Sequence, residues 1–124
     1  MTAKSSRGLV VLTTCANAEE ASGLAAALVE RRLAACVNSL ANVTSTYRWQ
    51  GRLQRDEENL LVIKTTEARF AAVEQLIRTR SSYELPEVLA VPVQVGSSAY
   101  LSWLGAEVED PSPPTEPSDE RTEA

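Results

Sequence analysis

Residues Leu33 to Thr66, LAACVNSLANVTSTYRWQGRLQRDEENLLVIKTT, decide the fold of this chain. Leu33 to Trp49 and Arg52 to Thr66 each contain many β-branched, aromatic or other residues that favour extended structure. Gln50-Gly51 lies between the two runs, and a glycine at the midpoint of two strand-like segments is typical of a β-hairpin. The stretch therefore predicts two long antiparallel strands joined by a tight turn.

The predicted hairpin is too long for a compact body. An arm of about 15 residues extends roughly 50 Å at about 3.4 Å per residue, whereas a body of about 100 residues has a radius of gyration of about 13 Å. The hairpin must therefore bend, bulge or project. A projecting hairpin leaves Tyr47, Trp49 and Leu53 in water unless another chain covers them. The alternative is a hairpin folded back over its own sheet, with a bend at Asn42, and the residues alone leave both open.

One strand and one helix are predicted before the hairpin. Gly8 to Cys15 is rich in β-branched residues and predicts a buried strand. Asn17 followed by Glu20 has the spacing of a helix N-terminus, and Leu24, Leu28 and Val29 recur at helical spacing.

The segments after the hairpin complete an α+β fold. Glu67 to Arg80 predicts a helix, Val88 to Val95 predicts a strand with Pro92 at an edge or bulge, and Tyr100 to Leu104 predicts a short C-terminal helix. The order βαββαβ is that of a ferredoxin-like sandwich, with an antiparallel sheet and two helices on one face. The other face of the sheet is uncovered in a single chain, which is a second argument for self-association.

Charge divides the chain into a folded body and a tail. The net charge is −5, but residues 106–124 carry seven acidic residues against one arginine, so the remainder is close to neutral. The tail also holds four prolines and few apolar residues, a composition typical of disorder. We therefore predict a flexible N-terminus at 1–7, one folded domain at 8–105 and a disordered acidic, Pro-rich tail at 106–124.

The absence of histidine narrows the chemistry. The chain has no histidine, which is the commonest metal ligand and general base. Cys15 and Cys36 are predicted to be reduced thiols, and with no histidine to activate them we predict that the chain is not an enzyme. The nearly neutral body has no basic stripe for nucleic acid, and no apolar segment is long enough for a membrane span. We expect a cytoplasmic protein that binds neither nucleic acid nor a membrane.

Five ordered motifs carry a family likeness. They are Leu33-Ala-Ala-Cys-Val-Asn38, Thr44-Ser-Thr-Tyr-Arg-Trp-Gln-Gly51, Val62-Ile-Lys-Thr65, Tyr83-Glu-Leu-Pro-Glu87 and Tyr100-Leu-Ser-Trp103. In order and spacing they resemble the divalent-cation tolerance protein CutA family over about residues 8 to 104. The resemblance implies a ferredoxin-like subunit in a homotrimer held together through the long hairpins. It also implies a role in tolerance of copper or another divalent metal ion, without a defined reaction.

The resemblance also suggests a trimer interface or a cleft between subunits. The residues that it assigns there are Tyr47, Trp49, Lys64, Tyr83, Glu87 and Trp103. Tyr47 and Trp49 are interpreted as interface anchors, because aromatic residues dominate interface energetics. Lys64 stands in an apolar strand, and we expect it to pair with Glu84 or Glu87.

Metal binding is where the sequence departs from relatives for which copper binding has been discussed. Those proteins place a cysteine near the end of the first strand and a histidine before the Tyr-x-x-Pro-Glu motif, where this chain has Thr13 and Ser81. Cys15 has the same strand face as Thr13 and, with Glu84, is the remaining metal candidate. One thiol with carboxylates is a poor soft-metal site.

A second functional class stays open. Signalling proteins of the PII-like type share the trimeric ferredoxin-like plan and bind nucleotides between subunits. This chain shows no Gly-rich phosphate loop, and its basic residues are scattered. A divalent-cation tolerance protein is the leading hypothesis, and a PII-like small-molecule or nucleotide sensor is the alternative.

Overall fold

The structure, a computed structural model, describes residues 6–109. The described residues form four strands and three α-helices, in the order β1 (Gly8–Cys15), α1 (Ala18–Glu30), β2 (Cys36–Trp49), β3 (Arg52–Thr66), α2 (Phe70–Arg80), β4 (Leu89–Pro92) and α3 (Ser98–Glu107). Helix α1 begins as predicted, because the side chain of Asn17 accepts a hydrogen bond of 2.8 Å from the backbone N–H of Glu20.

The strands form one antiparallel sheet in the order β2-β3-β1-β4. Alternate residues of β1 and β3 are buried in the core with α1 and α2: Leu9, Val11, Cys15, Leu61, Ile63, Leu28, Val73 and Ile77. The residues between them, such as Val10 and Val62, point to the other face and are only half-buried. The predicted ferredoxin-like α+β fold is confirmed, and β1 is buried on one face because the helices cover that face alone.

The hairpin projects beyond the rest of the sheet. Strand β3 pairs with β1 only as far as Asn59, opposite Cys15, whereas its pairing with β2 continues to Arg52 opposite Trp49. Gln50 and Gly51 have φ values of 53° and 78°, the left-handed conformations of a type I′ turn. The distal half is therefore a two-stranded ribbon, and the hairpin does not fold back over its own sheet.

A β-bulge interrupts the base of this ribbon. Leu40 pairs with Leu60, and the next pair is Val43 with Glu58, so β2 carries one more residue than β3 in this interval. Asn42 within the bulge has a φ of 61°, which asparagine tolerates better than most residues. The bulge absorbs the extra residue, so the side chain of Val43 lies on the same face as that of Leu40 although the two are three positions apart. Asn42 thus marks a bulge in a continuous ribbon.

Element ends differ from the predictions in three places. A short 3₁₀ turn at Glu67–Arg69 precedes α2, which therefore begins at Phe70. Strand β4 is shorter than predicted and lies at the sheet edge, where Pro92 is tolerated. Helix α3 continues to Glu107 and Val108 is buried, so ordered structure extends past the predicted limit at residue 105. The rest of the predicted disordered tail, and residues 1–5 of the predicted flexible N-terminus, lie outside the described residues.

Within residues 6–109, no helix has the length and apolar character needed to cross a membrane.

Candidate functional site

A cleft of about 650 Å³ lies between the hairpin ribbon and the loop that joins α2 to β4. We call it the hairpin cleft. Its principal lining residues are Tyr47, Trp49, Glu58, Tyr83, Glu84 and Glu87. All of these except Glu58 were predicted site residues. The fold therefore brings together the motifs around Tyr47 and Tyr83, which lie far apart in the sequence.

The bulge at Asn42 positions the aromatic side of the hairpin cleft. Because Val43 pairs with Glu58, the alternation along β2 places Tyr47 opposite Gln54 and Trp49 opposite Arg52, on the strand face that carries Glu58. Tyr47 is 40% exposed and Trp49 is half-buried. Aromatic side chains of one strand therefore share a face with a carboxylate of its neighbour.

The loop between α2 and β4 forms the opposite side and is anchored to α1. The hydroxyl of Ser82 donates a hydrogen bond of 2.8 Å to Oε1 of Glu20, and the backbone N–H of Ser82 donates one of 3.3 Å to Oε2. The backbone N–H of Tyr83 also donates to Oγ of Ser81 at 3.0 Å. These contacts fix the start of the loop beside the hairpin.

Tyr83 connects this loop to the hairpin. Its hydroxyl donates a hydrogen bond of 2.5 Å to Oε2 of Glu58, a side chain that is only 8% exposed. Burial, and then the hydrogen bond to Glu58, raise the pKa of Tyr83 well above its ordinary value, since both disfavour the phenolate. The pair places a neutral donor against a buried carboxylate.

A second phenol and carboxylate pair lies further along the ribbon. The hydroxyl of Tyr47 donates a hydrogen bond to Oδ2 of Asp56. This hydrogen bond is the main reason that the pKa of Tyr47 is raised. Both tyrosines of the cleft therefore donate to an acidic residue of β3.

The charges that line the hairpin cleft are mostly negative. Three glutamates, Glu58, Glu84 and Glu87, are opposed by a single arginine, Arg48. Glu58 lies at the buried base, whereas Glu84 and Glu87 are exposed. The cleft favours a cationic ligand over an anionic one, because a buried carboxylate is stabilised by an opposite charge.

Cys15, the predicted metal ligand, does not line this cleft. It is 1% exposed, on the face of β1 that packs against the helices. Burial, with the charges of Glu20 and Glu58, raises the pKa of its thiol to about 11, whereas a metal needs the thiolate. Nowhere among residues 6–109 do three or more cysteine or acidic side chains converge in a way that could hold a metal ion. Cys15 and Glu84 of one chain therefore do not fit a tight copper site.

Two other predicted residues also lie outside the hairpin cleft. Lys64 pairs with Cys36 near the opposite end of β3, and its Nζ donates to Oδ1 of Asn38 and lies 3.9 Å from Sγ of Cys36. The described residues of one chain do not form the expected pairing of Lys64 with Glu84 or Glu87, and as a pairing across a cleft between subunits it stays a prediction. Trp103 is 44% exposed on α3, where its ring lies 5.4 Å from that of Tyr100.

Sequence reasoning missed Glu58. It stands in the run Asp56-Glu57-Glu58, which resembles a solvated polar stretch. The loop after α2 brings Tyr83 to Glu58, while Asp56 and Glu57 stay exposed. The one available signal was its position immediately before the apolar run Leu60 to Ile63.

Comparison with known proteins identifies a family likeness over almost all of the described chain. Residues 9–107 match the family described as CutA1 divalent ion tolerance protein. The chain is 45% identical over 95 residues to the divalent-cation tolerance protein CutA of Thermus thermophilus, covering 77% of this chain and 92% of that protein. It is 44% identical over 92 residues to the Protein CutA homolog of Xenopus laevis, covering 74% of this chain but only 61% of the frog protein.

Solved structures agree with this likeness. The crystal structure of CutA from Xylella fastidiosa is 38% identical and superposes with a TM-score of 0.81, covering 84% of this chain and all of that one. The divalent cation tolerance protein of Thermus thermophilus is 43% identical, with a TM-score of 0.79 over 81% of this chain and 97% of that one. Sequence and fold thus give the same assignment.

Proposed function

This chain belongs to the CutA1 divalent ion tolerance family, and on that premise we propose that it is a non-enzymatic, trimeric protein of divalent-cation tolerance. Its working unit is an assembly of chains held together through the long hairpins, and copper is among the ions to which it responds. The observation that carries the proposal is the uncovered face of the sheet together with the projecting ribbon.

The uncovered face of the sheet supports assembly. Its apolar side chains come from all four strands and stay outside the core cluster: Val10, Leu12, Leu40, Leu60, Val62, Leu89 and Val91. Leu40, Leu89 and Val91 are 45%, 58% and 54% exposed, and Leu53 on the ribbon is 68% exposed. A contiguous apolar face and two unpaired strand edges favour burial against other copies of the chain.

A role through binding agrees with the chemistry of the side chains. The relatives are named as tolerance proteins, and this chain has no histidine to activate Cys15 or Cys36. The donor set does not favour direct coordination of copper by Cys15 and Glu84, as argued above from the buried thiol. We therefore propose that tolerance arises from the assembled protein and the ligands or partners that it binds.

The charge of the hairpin cleft disfavours the alternative function, a PII-like nucleotide sensor. A nucleotide brings phosphates, and a cleft with three glutamates and one arginine disfavours them by charge repulsion. The size of the hairpin cleft nevertheless suits a small molecule. A nucleotide sensor of the PII-like type is therefore the weaker hypothesis, and titration with ATP tests it directly.

The assembly is tested by light scattering on the full chain. We expect a mass three times the chain mass of 13.4 kDa. Leu40→Asp, on the uncovered face, should shift the protein toward monomers, whereas Val95→Asp, at a residue that is 85% exposed outside the sheet, should not. A monomeric unaltered protein would contradict the proposal. A Leu40→Asp protein that remains trimeric would show that the uncovered face of the sheet is not part of the interface.

The tolerance role is tested in cells that lack a CutA protein. Growth in rising copper or zinc should improve when the unaltered chain is supplied and should not improve with the Leu40→Asp chain. Equal growth with and without the unaltered chain would contradict the proposed role.

A further inference from the structure

The hairpin cleft combines a buried carboxylate with two features that a metal-ion role does not use, aromatic walls and a volume of about 650 Å³. We propose that it binds a small organic cation, an ammonium or amidinium compound with a flat apolar body. All the residues that carry this inference belong to one chain. It goes beyond the proposed function, and it requires that an assembly through the hairpins leave this cleft open, because Tyr47 and Trp49 are also the residues assigned to the trimer interface.

Glu58 supplies the recognition of the charge. Its side chain is 8% exposed, and Tyr83 occupies Oε2, while no described residue donates to Oε1. A ligand N–H group directed at Oε1 would complete the hydrogen bonding of this carboxylate and neutralise its buried charge. Charge-assisted hydrogen bonds of this kind are about twice as strong as neutral ones.

The aromatic side chains supply the contact for the body of the ligand. Trp49 and Tyr47 lie on the same strand face as Glu58, and Leu85 lies across the cleft from them. A cation is attracted to the face of an indole or phenol ring, and an apolar body gains by leaving water. A hydrated metal ion would use neither contact.

Size and donor number separate the organic cation from a metal ion. Small-molecule sites are typically about 300–1,000 Å³, and the cleft falls within that range. A hard cation such as Ca²⁺ needs about six to eight oxygen ligands at one point. In the described residues the acidic side chains do not converge to such a point.

Glu84 and Glu87 extend the negative charge to the mouth of the cleft. Both are exposed, and Arg48 is the one basic residue of the lining. Exposed carboxylates contribute less to affinity than Glu58 does, but they raise the local concentration of cations. The buried carboxylate of Glu58 therefore determines the class of ligand, and the exposed carboxylates of Glu84 and Glu87 assist its binding.

The test compares benzamidine, a planar cation, with benzamide, its neutral counterpart of nearly the same shape. Titration calorimetry on the full chain should give saturable benzamidine binding with a dissociation constant of about 1 mM or lower, and benzamide should bind at least about tenfold more weakly. In a Trp103→Phe background, Trp49 is the remaining tryptophan and its fluorescence should change on binding.

Variants assign the interaction to Glu58. Glu58→Gln keeps an acceptor for Tyr83 but removes the charge, so benzamidine affinity should fall at least about tenfold while benzamide affinity stays the same. Glu30→Gln, at an exposed glutamate of α1 away from the cleft, is the matched control and should leave both unchanged. If Glu58→Gln does not fold, Glu87→Gln should still weaken benzamidine by about twofold or more.

Three results would overturn the inference. They are the absence of saturable benzamidine binding, equal affinity for benzamidine and benzamide, and an unchanged affinity in folded Glu58→Gln protein. Light scattering on the same samples reports the assembly separately. A trimer that does not bind benzamidine rejects this inference alone, and a monomer that binds it rejects only the proposed trimer.

Discussion

Thr13 and Thr65 lie on the same face of the sheet and are equally buried, yet only one hydroxyl has a partner. Thr65 Oγ1 donates a hydrogen bond of 2.6 Å to the backbone carbonyl of Leu33. Thr13 Oγ1 is buried without a hydrogen-bond partner among the described residues. The two side chains are 1% and 0% exposed, so the difference between them is one of pairing.

This difference predicts opposite effects of the same substitution. Thr13→Val removes an unpaired buried hydroxyl and should raise the free energy of unfolding by about 1 kcal/mol. Thr65→Val leaves the carbonyl of Leu33 without this donor and should lower the free energy of unfolding by about 1–3 kcal/mol. Urea unfolding at one protein concentration measures both, and two changes of the same sign would contradict the prediction.

The hydrogen bond between Tyr83 and Glu58 predicts a cost for Tyr83→Phe. The substitution keeps the ring but removes the donor to a buried carboxylate, so the free energy of unfolding should fall by about 1–3 kcal/mol. Tyr100→Phe removes a hydroxyl from a tyrosine that is 42% exposed and should change stability little. Equal losses from the two variants would show that the loop is not held through this bond.

The same bond predicts the alkaline behaviour of the chain. Because folding raises the pKa of Tyr83, its contribution to stability is fully present below the ordinary tyrosine pKa of 10.0 and is lost as the pH rises through the higher folded value. Tyrosinate absorbance should therefore show one of the three tyrosines ionising last, and Tyr83→Phe should remove that step. A last step that survives the substitution would contradict the assignment.

Cys15 is predicted to be unreactive in the folded chain. A rise of its pKa from 9.0 to about 11 lowers the thiolate fraction at pH 8 about 100-fold. Iodoacetamide should therefore modify Cys15 in a Cys36→Ser variant at least about 100-fold more slowly than in the same variant in urea. The stability that this thiol contributes is present below pH 9 and is lost as the pH rises through about 11. Equal labelling rates would place Cys15 outside the core.

Two glycines predict opposite responses to alanine. Gly51 has a φ of 78° in the hairpin turn, and an added Cβ would meet nothing within 4 Å, so Gly51→Ala tests backbone strain alone and should cost about 1–2 kcal/mol. Gly105 lies inside α3, also with nothing within 4 Å, and Gly105→Ala should stabilise by about 0.5–1 kcal/mol. Thermal unfolding of the two variants and the unaltered chain decides the signs.

The order of elements could be predicted because local signals agree with the fold. Asn17 and Glu20 have the spacing of a helix cap, and Gln50-Gly51 forms the expected turn. Ends of elements were less predictable. The burial of Val108 depends on the packing of α3 against the sheet, which no local pattern records, so the acidic composition after residue 105 suggested a tail one turn too early.

Part of the candidate site could be predicted from the sequence. The motifs around Tyr47 and Tyr83 were assigned to a cleft by family likeness, and the fold brings them together. The omission of Glu58 has a cause that also separates Lys64 from the loop after α2 within one chain. Both residues lie on β3, and which end of that strand faces the loop after α2 depends on strand register and is not visible in the order of residues.

The bulge in β2 makes the ribbon tolerant of a change in length at this point. Strand β2 has two residues between Leu40 and Val43 where β3 has only Asn59, so loss of one of the two would leave a regular ladder with the same pairs on either side. Tyr47 and Trp49 would keep the face that they now hold. The bulge is therefore a place where this chain can lose one residue without exchanging its aromatic surface for the polar one on the opposite face of the ribbon.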